Sequence, residues 1–151
     1  MAMADRQPKL LLPFLAPFYD WAIPFSWLLI RAGFGIDLVL HGWEKVERLP
    51  AAFAVISGGA APNLLPNVNA TQTIVLSCSE FVGGICIALG LFTRFFAAAA
   101  AIELAIICFT VFWPHGYHAA EYTLWWGVAL FAIALHGGGP YSLDRRIGRE
   151  L

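Results

Sequence analysis

Residues 73–113 read TIVLSCSEFVGGICIALGLFTRFFAAAAAIELAIICFTVFW. Two apolar runs, Thr73 to Phe92 and Phe95 to Trp113, stand on either side of one polar pair, Thr93-Arg94. A helix rises ~1.5 Å per residue, so about 20 apolar residues cover the hydrocarbon core of a bilayer. Each run is therefore a membrane span. Working outward, a third span runs from Trp21 to His41 (WAIPFSWLLIRAGFGIDLVLH). A fourth runs from Tyr122 to His136 (YTLWWGVALFAIALH) and needs residues from Ala119 onward to reach across. Pro114, which cannot donate a helical hydrogen bond, closes the Phe95 run. Gly137-Gly138-Gly139-Pro140 closes the last. The pattern predicts an all-α, polytopic membrane protein, a bundle of four transmembrane helices.

Composition agrees. Of 151 residues, 60% are hydrophobic and 13% charged, and the mean hydropathy is +0.71. Soluble domains carry about a quarter charged residues. A small soluble domain leaves too much surface wet to hide this much apolar area, and a disordered chain is far more polar. The net charge of −1 offers no basic field to a nucleic acid. The partner implied is the lipid bilayer.

The connection from Gly42 to Gln72 is longer than the others. It carries Glu44, Lys45, Glu47 and Arg48, then an apolar patch from Leu49 to Ile56, then Gly58-Gly59 and a polar stretch from Pro62 to Asn69. It reads as a short interfacial helix followed by an irregular loop. Residues 1–20 read as a retained interfacial arm, because Pro8, Pro13 and Pro17 interrupt the compact apolar region that a cleaved leader needs. Residues 21–140 form the membrane domain and 141–151 a cytoplasmic tail. With four spans both termini share a side. That side holds Arg6, Lys9, Arg94, Arg145, Arg146 and Arg149, against Lys45 and Arg48 on the other. The excess of positive charge places both termini in the cytoplasm.

Charges inside a bilayer cost at least ~2.5–3.5 kcal/mol each on insertion scales, yet the spans keep Arg31, Asp37, Glu80 and Glu103. Counted from the outer ends of their spans, Arg31, Glu80 and Glu103 lie at similar depths of about 11–15 Å. This predicts an ion-pair cluster, with arginine suited to grip carboxylates through paired hydrogen bonds. Such a cluster serves either as a buried salt bridge that sets helix register or as an anchor for a polar substrate head group. Asp37 and His41 share a helix face. With His115, His118 and Glu121 they form a second tier at the outer surface. Histidine there offers proton transfer near neutral pH, imidazole and carboxylate offer metal ligation, and plain interfacial capping is the third reading. His41, His115 and Glu121 are the candidate catalytic residues. The HxxHxxE spacing matches no metal fingerprint, and no metal site is assigned.

Small residues suggest packing seams: Ser79, Gly83, Cys86 and Gly90 on one span, and Ala97, Ala101 and Ala105 on the next. The tryptophans, with Tyr117 and Tyr122, fall mostly near interfaces, as an aromatic belt does. Cys78 and Cys86 lie about 12 Å apart along one helix, too far for a disulfide. Cys78 and Cys108 are at similar depth, and buried free thiols are the default.

The polar residues recur in an order with a family likeness. Arg31 precedes His41-Gly42 and Lys45. Glu80 precedes Gly83-Gly84 and Gly90-Leu91-Phe92-Thr93-Arg94. Pro114-His115-Gly116 precedes Glu121-Tyr122, and the chain closes with Gly139-Pro140-Tyr141-Ser142-Leu143-Asp144. This resembles the DoxX family of small bacterial four-helix membrane proteins, over about residues 25–145. The resemblance implies a bundle in the bacterial inner membrane and a component of a quinone-linked oxidoreductase or redox-stress system. Its transferable positions are Arg31, His41, Lys45, Glu80, Arg94, His115, Glu121 and Tyr122, whereas Asp37 and Glu103 stand outside the pattern. Quinone is the cofactor implied. No haem, flavin or iron–sulfur motif occurs in the sequence, so electrons would come from a partner subunit or a second substrate. A homo-oligomer or a larger membrane complex is the assembly implied. The alternatives are a non-catalytic assembly or scaffold subunit, or a small transporter.

Overall fold

The computed structural model describes residues 10–59 and 69–149. Residues 1–9 of the N-terminal arm, most of the polar stretch after Gly59, and the last two residues lie outside them. Six helices are described: α1 (Ala16–Val46), α2 (Leu49–Ile56), α3 (Ala70–Leu89), α4 (Thr93–Ile107), α5 (Tyr117–His136) and α6 (Leu143–Ile147). α4 runs on without a break through one π-helical turn, Cys108–Phe112, and one 3-10 turn, Trp113–His115. Among the described residues there is no strand. Three helical stretches are long and apolar enough to cross a membrane: Pro13–Val46, Ala70–Leu89 and Thr93–His115. α5 is as long as α3 and packs against α4, but its first two turns carry His118, Glu121, Tyr122 and Thr123.

The bundle is polar inside and apolar outside. Arg31, Thr73, Ser77, Glu80, Thr93 and Asp144 are buried, while Leu29, Ile36, Val75, Phe95, Ile102 and Phe131 are exposed. Water would reject that surface and lipid accepts it. The apolar core is thin, built on Leu38, Ile87, Leu130 and Ile133 with the alanines of α4.

α1 is longer than the Trp21–His41 run at both ends. It starts at Ala16, so Pro17 falls in its first turn, where a missing N–H costs nothing. Pro24 sits inside without ending it. At the far end the helix continues through Lys45 to Val46, residues expected in the loop. α3 begins earlier than Thr73. Asn69 accepts from the Gln72 N–H at 2.8 Å, and Gln72 Oε1 accepts from the Asn69 N–H at 3.0 Å, a reciprocal cap.

α1 and α3 touch backbone to backbone. A Cβ on Gly35 would lie 2.5 Å from Ala88 N, and one on Gly42 2.4 Å from Phe81 N. One on Gly84 would lie 2.7 Å from Val39 N. Gly83 instead faces Phe96 of α4. This seam fixes the relative level of every group on the two helices. Gly42 lies level with Glu80, so Arg31, eleven residues earlier in the chain, is about 16 Å from that level along the axis.

Arg31 therefore does not pair with Glu80 or Glu103. The depth count failed because it took His41 and Thr73 as equivalent ends, whereas α1 extends well past His41. The Arg31 guanidinium, 1% exposed, caps the end of α3 instead. Nη1 donates to the carbonyls of Ile87 (2.6 Å) and Ala88 (2.7 Å), and Nη2 to that of Tyr141 (3.1 Å). Its counter-charge is Asp144, which acts on it electrostatically. Asp144 also accepts from the Phe92 N–H (2.7 Å), the Thr93 N–H (2.9 Å) and the Thr93 hydroxyl (2.7 Å). Phe92 has φ 47°, a costly conformation for a side chain with a Cβ, and its captured N–H holds it there. Gly90 takes up the adjoining positive φ of 74°. Nearby, the Trp27 indole donates to the Gly137 carbonyl at 3.1 Å, which places Trp27 inside the bundle rather than in an aromatic belt.

Two substitutions test this arrangement. Gly35→Val forces the seam apart and costs about 1–3 kcal/mol. Asp144→Ala removes three hydrogen bonds and the anion beside Arg31 and costs about 3–5 kcal/mol. Both lower the midpoint of thermal unfolding in detergent.

Candidate functional site

The opposite end of the bundle gathers the remaining intramembrane charges. Asp37, His41 and Lys45 recur every four residues along one face of α1. The resemblance named Lys45, but the span count left it in the loop, because the span was closed at His41. The Lys45 ammonium donates to Glu80 Oε1, with side chains 20% and 5% exposed. Ser79, next to Glu80 on α3, donates its hydroxyl to Glu103 Oε2 on α4. The Glu103 carboxyl also lies within hydrogen-bonding reach of the Glu80 carboxyl and in the field of Lys45. Glu80 and Glu103 thus meet each other and a lysine, not an arginine. Each keeps one buried oxygen without a hydrogen-bond partner, Oε2 of Glu80 and Oε1 of Glu103.

Beside this cluster lies a cavity of about 40 Å³ lined by His41, Glu80, Leu104, Tyr122, Thr123 and Trp126. That is room for a water molecule and too little for an organic ring. Its rim is aromatic. The rings of Tyr122 and Trp126 lie 5.3 Å apart, those of His41 and Trp126 5.9 Å apart, and Phe34 meets Trp126 edge to face at 5.0 Å. Asp37 closes the rim. Its Oδ2 is 3.5 Å from His41 Nδ1 and accepts from the Tyr122 hydroxyl at 3.4 Å. His41 and Asp37 are partly exposed, so this rim lies at the surface of the bundle.

The structure places the other candidates apart from this rim. His115 Nδ1 lies 2.9 Å from the Val111 carbonyl of its own helical stretch. Glu121 faces His118 at 3.5 Å, and His118 is almost fully exposed. Tyr122, one residue beyond Glu121, is the group that reaches α1. Successive helix residues point about 100° apart, so one step separates an inward side chain from an outward one. Sequence reasoning had set Trp126 and Tyr122 in the aromatic belt, although the resemblance also named Tyr122, and read Ser79 only as packing. Cys78 is exposed, and buried Cys108 points its thiol toward the Ala120 carbonyl at 3.8 Å, so the three cysteines are free.

A larger groove of about 560 Å³ runs between α4 and α5. Ala98, Ala101, Ala105 and Gly127 give it depth, and Val128 and Phe131 line its flank. Arg94 stands along it, with Nη1 spent on the α5 carbonyls of Ala134 (3.3 Å) and Leu135 (2.6 Å). Thr123 lines both this groove and the small cavity, so it forms part of the wall between them. Chemically, the Lys45 end offers an imidazole, a phenol and carboxyls around a water-sized space, beside an apolar trough.

The family model described as DoxX matches residues 26–113, from Ser26 in α1 to Trp113 in the last turn of the α4 stretch, and includes Arg31, His41, Lys45, Glu80 and Arg94. No curated protein and no solved structure matches the sequence.

Replacing Lys45 by Met strands two buried carboxyls without a cation and lowers stability by about 3–5 kcal/mol. Adding Glu80→Gln to that variant recovers part of the loss, because one of the two stranded carboxyls is then gone. Thermal unfolding of the two variants beside the wild type measures both steps.

Proposed function

The chain belongs to the DoxX family, and on that premise we propose that it is the membrane component of a quinone-linked redox system in the bacterial inner membrane. Four spans, with α5 as the fourth, put both termini in the cytoplasm and the Lys45 end toward the periplasm. The arginines of the Arg31 end and of α6 favour that orientation.

The observation that carries the reading is an apolar groove set beside a polar cavity, with Thr123 as a shared wall. Ligand sites pair a mostly apolar lining, of about 300–1,000 Å³, with a few placed polar groups. The groove falls in that range and takes an isoprenoid tail. The head group rests at the groove's outer end against Thr123, since the small cavity does not admit a ring. A bound quinone supplies two-electron, two-proton redox chemistry, and a partner subunit supplies or removes the electrons. The chain's own groups bind and exchange protons. His41, beside Asp37 and facing Trp126, is the imidazole placed to pass a proton between the cavity and the surface. His115 and Glu121 stand at the same end without joining the cavity and belong to the approach from the outer surface. Arg31 belongs to the fold rather than to the head group.

A second reading rests on the same groove. Its alanine and glycine floor also suits a helix of a partner subunit or of a second copy, as in a scaffold protein.

Quinone titration of the purified protein in nanodiscs separates the two. Ala105→Trp fills the groove from its exposed side, and we expect at least a tenfold loss of ubiquinone or menaquinone binding. A wild type that binds neither quinone, with Ala105→Trp releasing a co-purifying protein, establishes the scaffold reading instead.

A further inference from the structure

We infer that Glu80 and Glu103 hold one exchangeable proton between them, and that His41 and the cavity behind it are its route to the outer face. The inference stands on the side-chain cluster alone and needs no quinone.

Three observations carry it. The first is charge. Lys45 offers a single positive charge to two carboxyls buried beside it, and two carboxylates in one low-dielectric site cannot both stay ionised cheaply. The second is hydrogen bonding. Buried polar atoms nearly always find partners. Glu80 gives Oε1 to Lys45 and Glu103 gives Oε2 to Ser79, yet Oε2 of Glu80 and Oε1 of Glu103 have none. A carboxylate can only accept, whereas a protonated carboxyl donates. The two carboxyls lie within hydrogen-bonding reach of each other, and one proton on the pair lets one donate to the other. The third is access. Glu80 is 4% exposed but borders the cavity that His41 also lines. The cavity has room for a water molecule with Glu80, His41, Tyr122 and Thr123 as polar neighbours, enough partners to hold one.

The groups around the pair and its cavity come from every helix packed there. α1 supplies Asp37, His41 and Lys45, α3 supplies Ser79, α4 carries Glu103 itself, and α5 supplies Tyr122. A proton taken from bulk water by His41 passes through the cavity to the carboxyl pair and leaves by the same path. No bond other than those to hydrogen is made or broken.

Infrared spectroscopy of the protein in nanodiscs tests this. At neutral pH the wild type should show the C=O stretch of a protonated carboxyl. The band should vanish in Glu103→Gln and in Glu80→Gln. Ser79→Ala keeps both carboxyls, and the band should remain there, shifted in frequency. On transfer to D2O the band should shift as the proton exchanges, at least tenfold more slowly in His41→Phe. Absence of the band from the wild type, or its survival in both Gln variants, overturns the shared proton. An unchanged exchange rate in His41→Phe overturns the route.

Discussion

The last carbonyls of a helix have no water to turn to inside a bilayer, and the ends of α3 and α5 are each met by an arginine from another helix. Arg31 of α1 holds the Ile87 and Ala88 carbonyls of α3, and Arg94 of α4 holds the Ala134 and Leu135 carbonyls of α5. A cation at a helix C-terminus also opposes the negative end of the dipole. Burying Arg31 this deeply demands an anion, and Asp144 supplies it from beyond α5. Because Asp144 in turn grips the first N–H groups of α4, one ionic interaction joins α1, the α3–α4 turn and the C-terminal segment. The Gly-Pro-Tyr-Ser-Leu-Asp stretch is thus the keystone of the bundle, although it lies outside the apolar helices themselves.

The two ends of the bundle use their charges differently. At the Arg31 end the acceptors are matched: Asp144 takes three hydrogen bonds, and the Tyr141 carbonyl is used as well. At the Lys45 end two carboxyls crowd one ammonium, with lone pairs left over and a cavity at hand. The Arg31 end leaves the guanidinium Nε without a partner but uses its acceptors, which gives rigidity, whereas carboxyl oxygens left over beside a cavity mark a place where something is exchanged. That asymmetry, more than the count of buried charges, separates scaffold from site.

Much of this was legible in the sequence. Apolar runs of the right length gave the long helices, and the buried charges announced themselves by being in a membrane at all. The error over Arg31 had a specific cause. Hydropathy marks where apolar residues stop, and α1 continues as a helix through Trp43, Glu44 and Lys45 after its apolar run has ended. Level cannot be counted from such an edge. It is set by Gly35, Gly42 and Gly84, whose close contacts are tertiary. Asp37, His41 and Lys45 share a four-residue spacing that could have extended the helix. Tyr122 displaced Glu121 from the expected cluster through a rotation of one residue about α5, which no composition encodes. Asn69 and Gln72, by contrast, form a cap that the sequence does spell out.

The glycine seam between α1 and α3 has a mechanical consequence. Two helices in backbone contact have no side-chain layer between them to deform, so they move as one stiff plank. α4 and α5 form a second closely packed pair, and α4 meets α3 over a much smaller contact. Any adjustment to bilayer thickness is therefore taken up between the two pairs. The two carboxyls span that joint, with Glu80 on one side and Glu103 on the other. A relative movement of the pairs would pull directly on the contact between them.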